Sequence, residues 1–233
     1  MAHKKIKLFI DRLNQRMYQT YLAYMIRKYL RLSRDINTNW QKLAQKNVDV
    51  INEYINFFSQ TELSNLTFFV IWIAKFFDYP EKNRNKPLSI KKARNYVQGN
   101  KKMLNADAFL KENNDRPFAK ELAESYVGIT EKDIKEIDML LEKNKYIIEW
   151  FKDLRDKWAA HDDILKWNIQ LPSFEKIEEL FTDIVKMINI LSYGLENSTT
   201  TYSHVEWNIQ NDIFYMFKDL YKERPSNINT QKS

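Results

Sequence analysis

Cysteine is absent from this 233-residue chain, and glycine and proline are rare, with three and five copies respectively. Without cysteine the chain can form neither a disulfide nor a thiolate zinc site, and nothing points to an oxidising compartment. Few glycines and prolines mean few residues that interrupt helices, which favours an all-α fold. The length suits one helical domain that buries a sizeable core.

Long apolar runs are also missing. The longest largely apolar run extends from Leu66 to Phe77 and contains two polar side chains. A membrane span needs ~20 apolar residues, so this segment is expected to be a buried core helix. Asp11 and Arg12 interrupt the apolar residues near the N-terminus, which argues against a signal peptide. These features predict a cytoplasmic protein with no membrane partner.

Short motifs that build metal and phosphate sites are missing as well. The three histidines, His3, His161 and His204, form no His-x-x-x-His and no His-Glu pair, which argues against a zinc site. The three glycines lie far apart, so the chain has no glycine-rich phosphate loop and no dinucleotide fingerprint. We therefore expect neither a metal nor a cofactor.

Apolar residues at helical spacing predict long helices along most of the chain. Residues 4–32 read as one long N-terminal helix with a wide apolar stripe, which predicts contacts with more than one neighbour. A second helix is expected over 39–58 and a third from about Thr61 to Asp78. Near the C-terminus Ser173 is expected to cap a helix that ends close to Gly194.

The predicted domain covers residues 1–225 and is followed by a polar tail over 226–233. Residues 80–128 are expected to be an irregular, partly helical insertion, because prolines, asparagines and basic residues are concentrated there. Within it, Ser89 is expected to cap a short helix and Pro117 to occupy the first position of another.

Positive charge is concentrated in two segments. Residues 1–34 hold nine Lys and Arg and one acid, and residues 81–102 hold eight Lys and Arg and one acid. Clustered positive charge is typical of surfaces that bind phosphates of nucleic acids, and it equally serves to solubilise exposed helix faces. In the second segment we predict contacts with RNA at Lys82, Arg84, Lys91, Lys92 and Arg94.

The stretch over residues 150–163, WFKDLRDKWAAHDD, is the strongest candidate site. It ends a helix predicted from Thr130 to about Ala160, whose apolar residues recur at three-, four- and seven-residue steps. Arg155 and His161 are six positions apart, so on an ideal helix they diverge by about 120° and lie roughly 9 Å apart along the axis. They share a site only if the helix end distorts or a second chain completes the site. A solvated, charged helix end without chemistry is the alternative.

The order Arg, polar residue, four further residues and His, here Arg155 to His161, resembles the signature of the HEPN superfamily. The fuller pattern, with Asp163 behind the histidine, resembles its AbiU2-like branch, which is linked to abortive phage infection. The resemblance implies an all-α helical bundle, a homodimer and metal-independent cleavage of RNA, in phage defence or as a toxin with an antitoxin partner. It also implies that His161 is the general acid or base, that Arg155 holds the scissile phosphate and that Asp156 orients one of them. Lys157 and Asp163 take supporting roles.

A different class of function is also open. The chain would then be a non-catalytic helical module that binds nucleic acid or a partner protein through its basic faces. The two hypotheses differ in whether anything depends on His161 beyond binding.

Overall fold

The computed structural model describes residues 2–34, 41–78, 88–160 and 171–222 of the chain. These residues form ten α-helices and one short 3-10 turn, and no strand occurs among them. The predicted all-α fold is therefore confirmed. Of the helices in these ranges, none combines the length and the apolar character that crossing a lipid bilayer demands.

The first three helices are α1 (Ala2–Leu32), α2 (Gln41–Glu53) and α3 (Ile55–Phe76). The predicted long N-terminal helix is confirmed by α1. Tyr54 alone separates α2 from α3, and its backbone continues the helical hydrogen bonding, with its N–H donating to Val50 and its carbonyl accepting from Phe58. The predicted helix start at Thr61 was therefore wrong, because the polar residues there lie along a continuing helix.

Three short helices follow in the described part of the predicted insertion. They are α4 (Ile90–Asn100), α5 (Ala106–Glu112) and α6 (Ala119–Glu124), with the 3-10 turn Lys101–Met103 behind α4. Ser89 caps α4 as predicted, since its hydroxyl accepts from the backbone N–H of Lys92 at 3.2 Å. Pro117 does not begin α6, because Phe118 adopts a left-handed conformation, with φ 60°, and is itself the N-cap.

The single helix predicted from Thr130 to Ala160 is in fact two, α7 (Glu131–Lys143) and α8 (Lys145–Ala160). Thr130 and Asp133 form a reciprocal capping box at the start of α7, which confirms the predicted start. Asn144 alone separates the two helices, and its backbone keeps the helical hydrogen bonds, with its N–H donating to Leu140 and its carbonyl accepting from Ile148. Its buried side chain donates to the Leu140 carbonyl at 2.9 Å and to Asp183 Oδ2 at 2.8 Å. The predicted helix is therefore interrupted only locally, at a residue that α9 holds through Asp183.

The last two helices are α9 (Phe174–Glu196) and α10 (Ser203–Lys222), and Ser173 caps α9 as predicted. α9 ends at Glu196, close to Gly194 as predicted, but the left-handed residue at that end is Asn197, with φ 52°. Gly194 instead permits close packing. A Cβ placed on it would lie 3.2 Å from both Cβ and Cδ1 of Ile129 and would overlap Cγ1 of that side chain.

The chain divides into two compact units. The first unit comprises Met1–Thr20 and Val70–Thr201, and the second comprises Tyr21–Phe69 and Tyr202–Ser233. Each contains buried apolar side chains, such as Phe151 in the first and Phe58 in the second. The single domain predicted over residues 1–225 stays a prediction.

Candidate functional site

Arg155 lies in the last turns of α8, at the border between core and solvent. The apolar residues Ile148, Phe151, Leu154 and Trp158 recur at steps of three and four, and all four are buried. This buried stripe fixes the rotation of α8. Arg155 follows Leu154 directly, and its side chain retains 23% of its exposure. The helix therefore presents the guanidinium at the edge of the buried face.

Two carboxylates hold the Arg155 guanidinium. Nη1 donates to Oδ1 of Asp78 at 2.6 Å, and Nε donates to Oδ1 of Asp156 at 2.9 Å. Asp78 stands just behind α3, which ends at Phe76. Residues 77 positions apart thus meet at one point, and the planar guanidinium is oriented by bonds on two of its edges.

The electrostatics of this cluster keep Arg155 charged. Burial alone would lower the pKa of Arg155, but its hydrogen bonds to Asp78 and Asp156 and the charges of both carboxylates raise that pKa above its ordinary value. A permanently charged, planar fork is suited to binding a phosphate. A phosphate that arrives here would compete with the two carboxylates for the same group.

The remaining residues of the predicted motif are only partly described. Asp156 and Lys157 are exposed on α8, and Asp156 contacts Arg155, one of the two partners predicted for it. His161 and Asp163 lie outside the described residues.

The RNA contacts predicted in the second basic segment fall into two groups. Lys82 and Arg84 lie outside the described residues, whereas Lys91, Lys92 and Arg94 lie on α4. Arg94 is occupied within the fold: Nε donates to Asp138 Oδ1 at 3.0 Å, and Nη2 pairs with the second oxygen of the same carboxylate. RNA would have to displace Asp138 to reach this guanidinium.

A cleft of about 290 Å³ lies in the first unit. Phe77, the neighbour of Asp78, lines it, and so does Lys152, one turn before Arg155 on α8. Among the described residues, three lysines and three carboxylates line the cleft; they are Lys91, Lys145 and Lys152, with Asp138, Glu142 and Glu149. Lys152 is 8% exposed, and its ammonium pairs with Glu149 at 3.1 Å. The cleft is therefore charged but close to neutral.

Four basic side chains of residues 1–34 are occupied by groups of the fold itself. In the first unit Lys7 pairs with Glu196 at 2.6 Å, and Arg16 donates to the Leu88 carbonyl at 2.6 Å. In the second unit Lys28 pairs with Glu206 at 3.2 Å, and Arg34 pairs with Glu62. The positive charge of residues 1–34 thus has a structural use in both units.

Asp78 and Lys152 are the residues near this site whose roles the sequence did not predict. The signal for Asp78 was an apolar helix that ends in an acid, FFVIWIAKFFD. Lys152 carried no signal beyond its place on the predicted helix. In the part of the chain that the structure describes, no group of three or more His, Asp and Glu side chains is arranged to hold a metal ion.

Comparison of the chain with protein-family models, with curated proteins and with solved structures finds no match.

Proposed function

We propose that the protein is a metal-independent endoribonuclease of the HEPN type, acting in phage defence or as a toxin-like stress protein. The observation that supports this most directly is the placement of Arg155. Its charged guanidinium is fixed by Asp78 and Asp156 at the partly exposed end of a helix, in the motif that ends at His161. The all-helical architecture agrees with the resemblance that suggested this activity.

The proposed reaction is an internal transfer at a phosphodiester. His161 accepts the proton of a ribose 2′-hydroxyl, whose oxygen attacks the adjacent phosphorus while the bond to the 5′-oxygen breaks. The departing oxygen takes up a proton, and a 2′,3′-cyclic phosphate remains. Arg155 stabilises the negative charge that develops on the phosphate oxygens. Asp78 and Asp156 are positioning residues for Arg155, and Lys157 and Asp163 support the site.

The test uses purified full-length protein and single-stranded RNA in the presence of a chelator. We expect cleavage to persist and to leave 2′,3′-cyclic phosphate ends, which mass spectrometry of the products detects. A matched RNA with 2′-deoxyribose at the cleaved position should stay intact, because it lacks the nucleophile. Strict dependence on a divalent ion, or cleavage of the deoxy substrate at that position, would refute the mechanism.

Variants separate catalysis from binding. His161→Ala and Arg155→Ala should each abolish cleavage while leaving the helix content measured by circular dichroism unchanged. Arg155→Lys keeps the charge but loses the planar fork, so it should recover little activity. Lys176→Ala, a change of an exposed lysine at the start of α9, is the matched control and should retain full activity. RNA binding without any product in the wild-type protein would favour the non-catalytic module.

A composite site between two copies is part of the proposal. Arg155 and His161 diverge by about 120° on one ideal helix, so two copies related by a two-fold axis would present the pair to one phosphate better than one copy does. Mixing Arg155→Ala with His161→Ala tests this. Partial recovery of cleavage is expected if subunits exchange, and a monomer with full activity would refute a shared site.

A further inference from the structure

An apolar groove of about 300 Å³ lies on the second unit, between α2 and α10. Its floor is formed by Phe214, Phe217 and Tyr221, which recur at steps of three and four and so share one face of α10. Phe217 is 2% exposed and stacks on Phe58, with ring centroids 5.5 Å apart. The floor is therefore anchored in the core and does not depend on flexible side chains.

Almost all of the surface that faces this groove is carbon. Asn47 also lines it, but this side chain is 4% exposed, and its amide already donates to the Ser33 carbonyl at 3.0 Å. A ligand with polar edges, such as a nucleobase, would leave hydrogen-bonding groups poorly satisfied against such a surface, which is costly. An apolar chain has no such groups to satisfy.

Three lysines stand around the groove, Lys46 from α2 and Lys218 and Lys222 from α10. The Lys46 ammonium lies 4.5 Å above the Tyr221 ring, and the Lys222 ammonium lies 3.4 Å from one carboxylate, that of Asp219. Their methylene stems line the apolar surface. Among the described residues, three ammonium groups against the one carboxylate of Asp219 leave the rim positively charged. The groove thus combines an apolar interior with a cationic rim.

We infer that this groove binds an anionic amphiphile of the fatty-acid class, with the acyl chain along Phe214 and Phe217 and the carboxylate at the lysines. The volume lies at the lower end of the range for ligand pockets, which suits one chain of moderate length. Charge complementarity selects the carboxylate head, and the carbon surface selects the chain. The site is independent of the proposed nuclease activity.

The first experiment is a titration of the full-length protein with a series of saturated fatty acids, kept below their micelle-forming concentrations. Each added methylene that the groove accommodates should tighten binding about fourfold, and the gain should stop once the groove is filled. Alcohols of the same chain length should bind about tenfold more weakly, because they lack the charge that three exposed lysines attract. Adenosine monophosphate and a short single-stranded RNA are titrated in parallel.

Variants locate the site. Lys46→Gln and Lys218→Gln should each weaken the fatty acid about threefold and leave the alcohol unchanged, whereas Phe214→Ala should weaken both. Lys176→Gln on α9 is the matched control and should change neither. A melting curve for each variant verifies that it folds, and the two Gln variants alter only exposed side chains.

Three results would overturn the inference. The first is equal binding of acid and alcohol, which would mean that the lysines play no part. The second is binding that ignores chain length or the Phe214 and lysine variants, which would place the ligand elsewhere. The third is tighter binding of the nucleotide or RNA than of any fatty acid, with loss in the same variants, which would assign the groove to nucleic acid.

Discussion

Replacement of Gly194 by alanine tests a tight packing contact in the first unit. Gly194 lies inside α9, and an added Cβ would overlap Cγ1 of Ile129, a side chain that is 2% exposed. The obstructing atom is an inner atom of a β-branched residue, so it cannot rotate away as the tip of a long side chain can. Relief requires a shift of α9 or of the backbone at residue 129.

The magnitude follows from two opposed effects. Carbon atoms in contact normally lie about 3.5–4.0 Å apart, and the new methyl would also lie 3.2 Å from Cβ and Cδ1 of Ile129. Overpacking of this kind typically costs about 1–3 kcal/mol of stability. Because the obstructing atom is an inner atom, we expect the cost for Gly194→Ala to be about 3 kcal/mol or more. Alanine regains about 1 kcal/mol as the better helix former. We therefore expect a net loss of about 2 kcal/mol, or about 4–8 °C in melting temperature.

Urea unfolding followed by circular dichroism provides the measurement, and Gly99 provides the matched control. No atom of the described residues lies within 4 Å of a Cβ placed on Gly99 in α4. Gly99→Ala should therefore raise the stability by about 0.5–1 kcal/mol. In the double variant Ile129→Ala/Gly194→Ala, the loss of stability should be smaller than the sum of the losses in the two single variants. The reason is that the new methyl at residue 194 occupies the cavity left by the Ile129 side chain. A Gly194→Ala protein as stable as the wild type would refute the packing argument.

Three further predictions concern local features. Thr130→Ala should lower the free energy of unfolding by about 1 kcal/mol through loss of the α7 cap, and Thr130→Ser should not. Burial lowers the pKa of His3 below its ordinary value of 6.5, so the unfolded chain binds a proton there more readily than the folded one, and stability falls as the pH drops below about 6.5. The fall in the free energy of unfolding between about pH 7.5 and about pH 5.5 should therefore be smaller in His3→Gln than in the wild type. If Lys91 and Lys92 contact phosphates, changing both to Gln should lower the slope of log affinity for single-stranded RNA against log salt by about 0.7 per lost contact. Arg94 is already bound to Asp138, so Arg94→Gln should leave that slope unchanged.

Local signals predicted helix positions well where the hydrogen bonds that end a helix are themselves local. Ser89, Thr130 and Ser173 each accept from a backbone N–H three residues ahead, and the sequence shows such a cap directly. The local interruption at Asn144 was not predicted, nor was the bond of its side chain to Asp183, 39 residues away, which no local pattern shows. The apolar pattern passes through Asn144 without interruption, since it records which residues are buried and not whether the helix is continuous.

The same distinction applies to the candidate site. The sequence predicted Arg155 as its centre, from the residues around it. It did not predict that Asp78 holds the guanidinium, because 77 residues separate the two and only folding brings them together. Nor did the charge of α4 reveal that Asp138 on α7 engages Arg94. Residue type and spacing identify a candidate group, whereas its partners depend on tertiary contacts.

The number of Lys and Arg residues in the N-terminal segment therefore overstates the positive charge that it offers to RNA. Lys7 and Lys28 pair with Glu196 and Glu206, acids that lie far along the chain and that a local count of charge leaves out. Surface charge attracts a polyanion only where the fold has not already neutralised it. Arg155 is itself paired with Asp78 and Asp156, so the argument for RNA rests on the motif in which this guanidinium stands and not on net charge. Loss of cleavage in Arg155→Lys, with RNA affinity kept, would tie the activity to that one fork rather than to net charge.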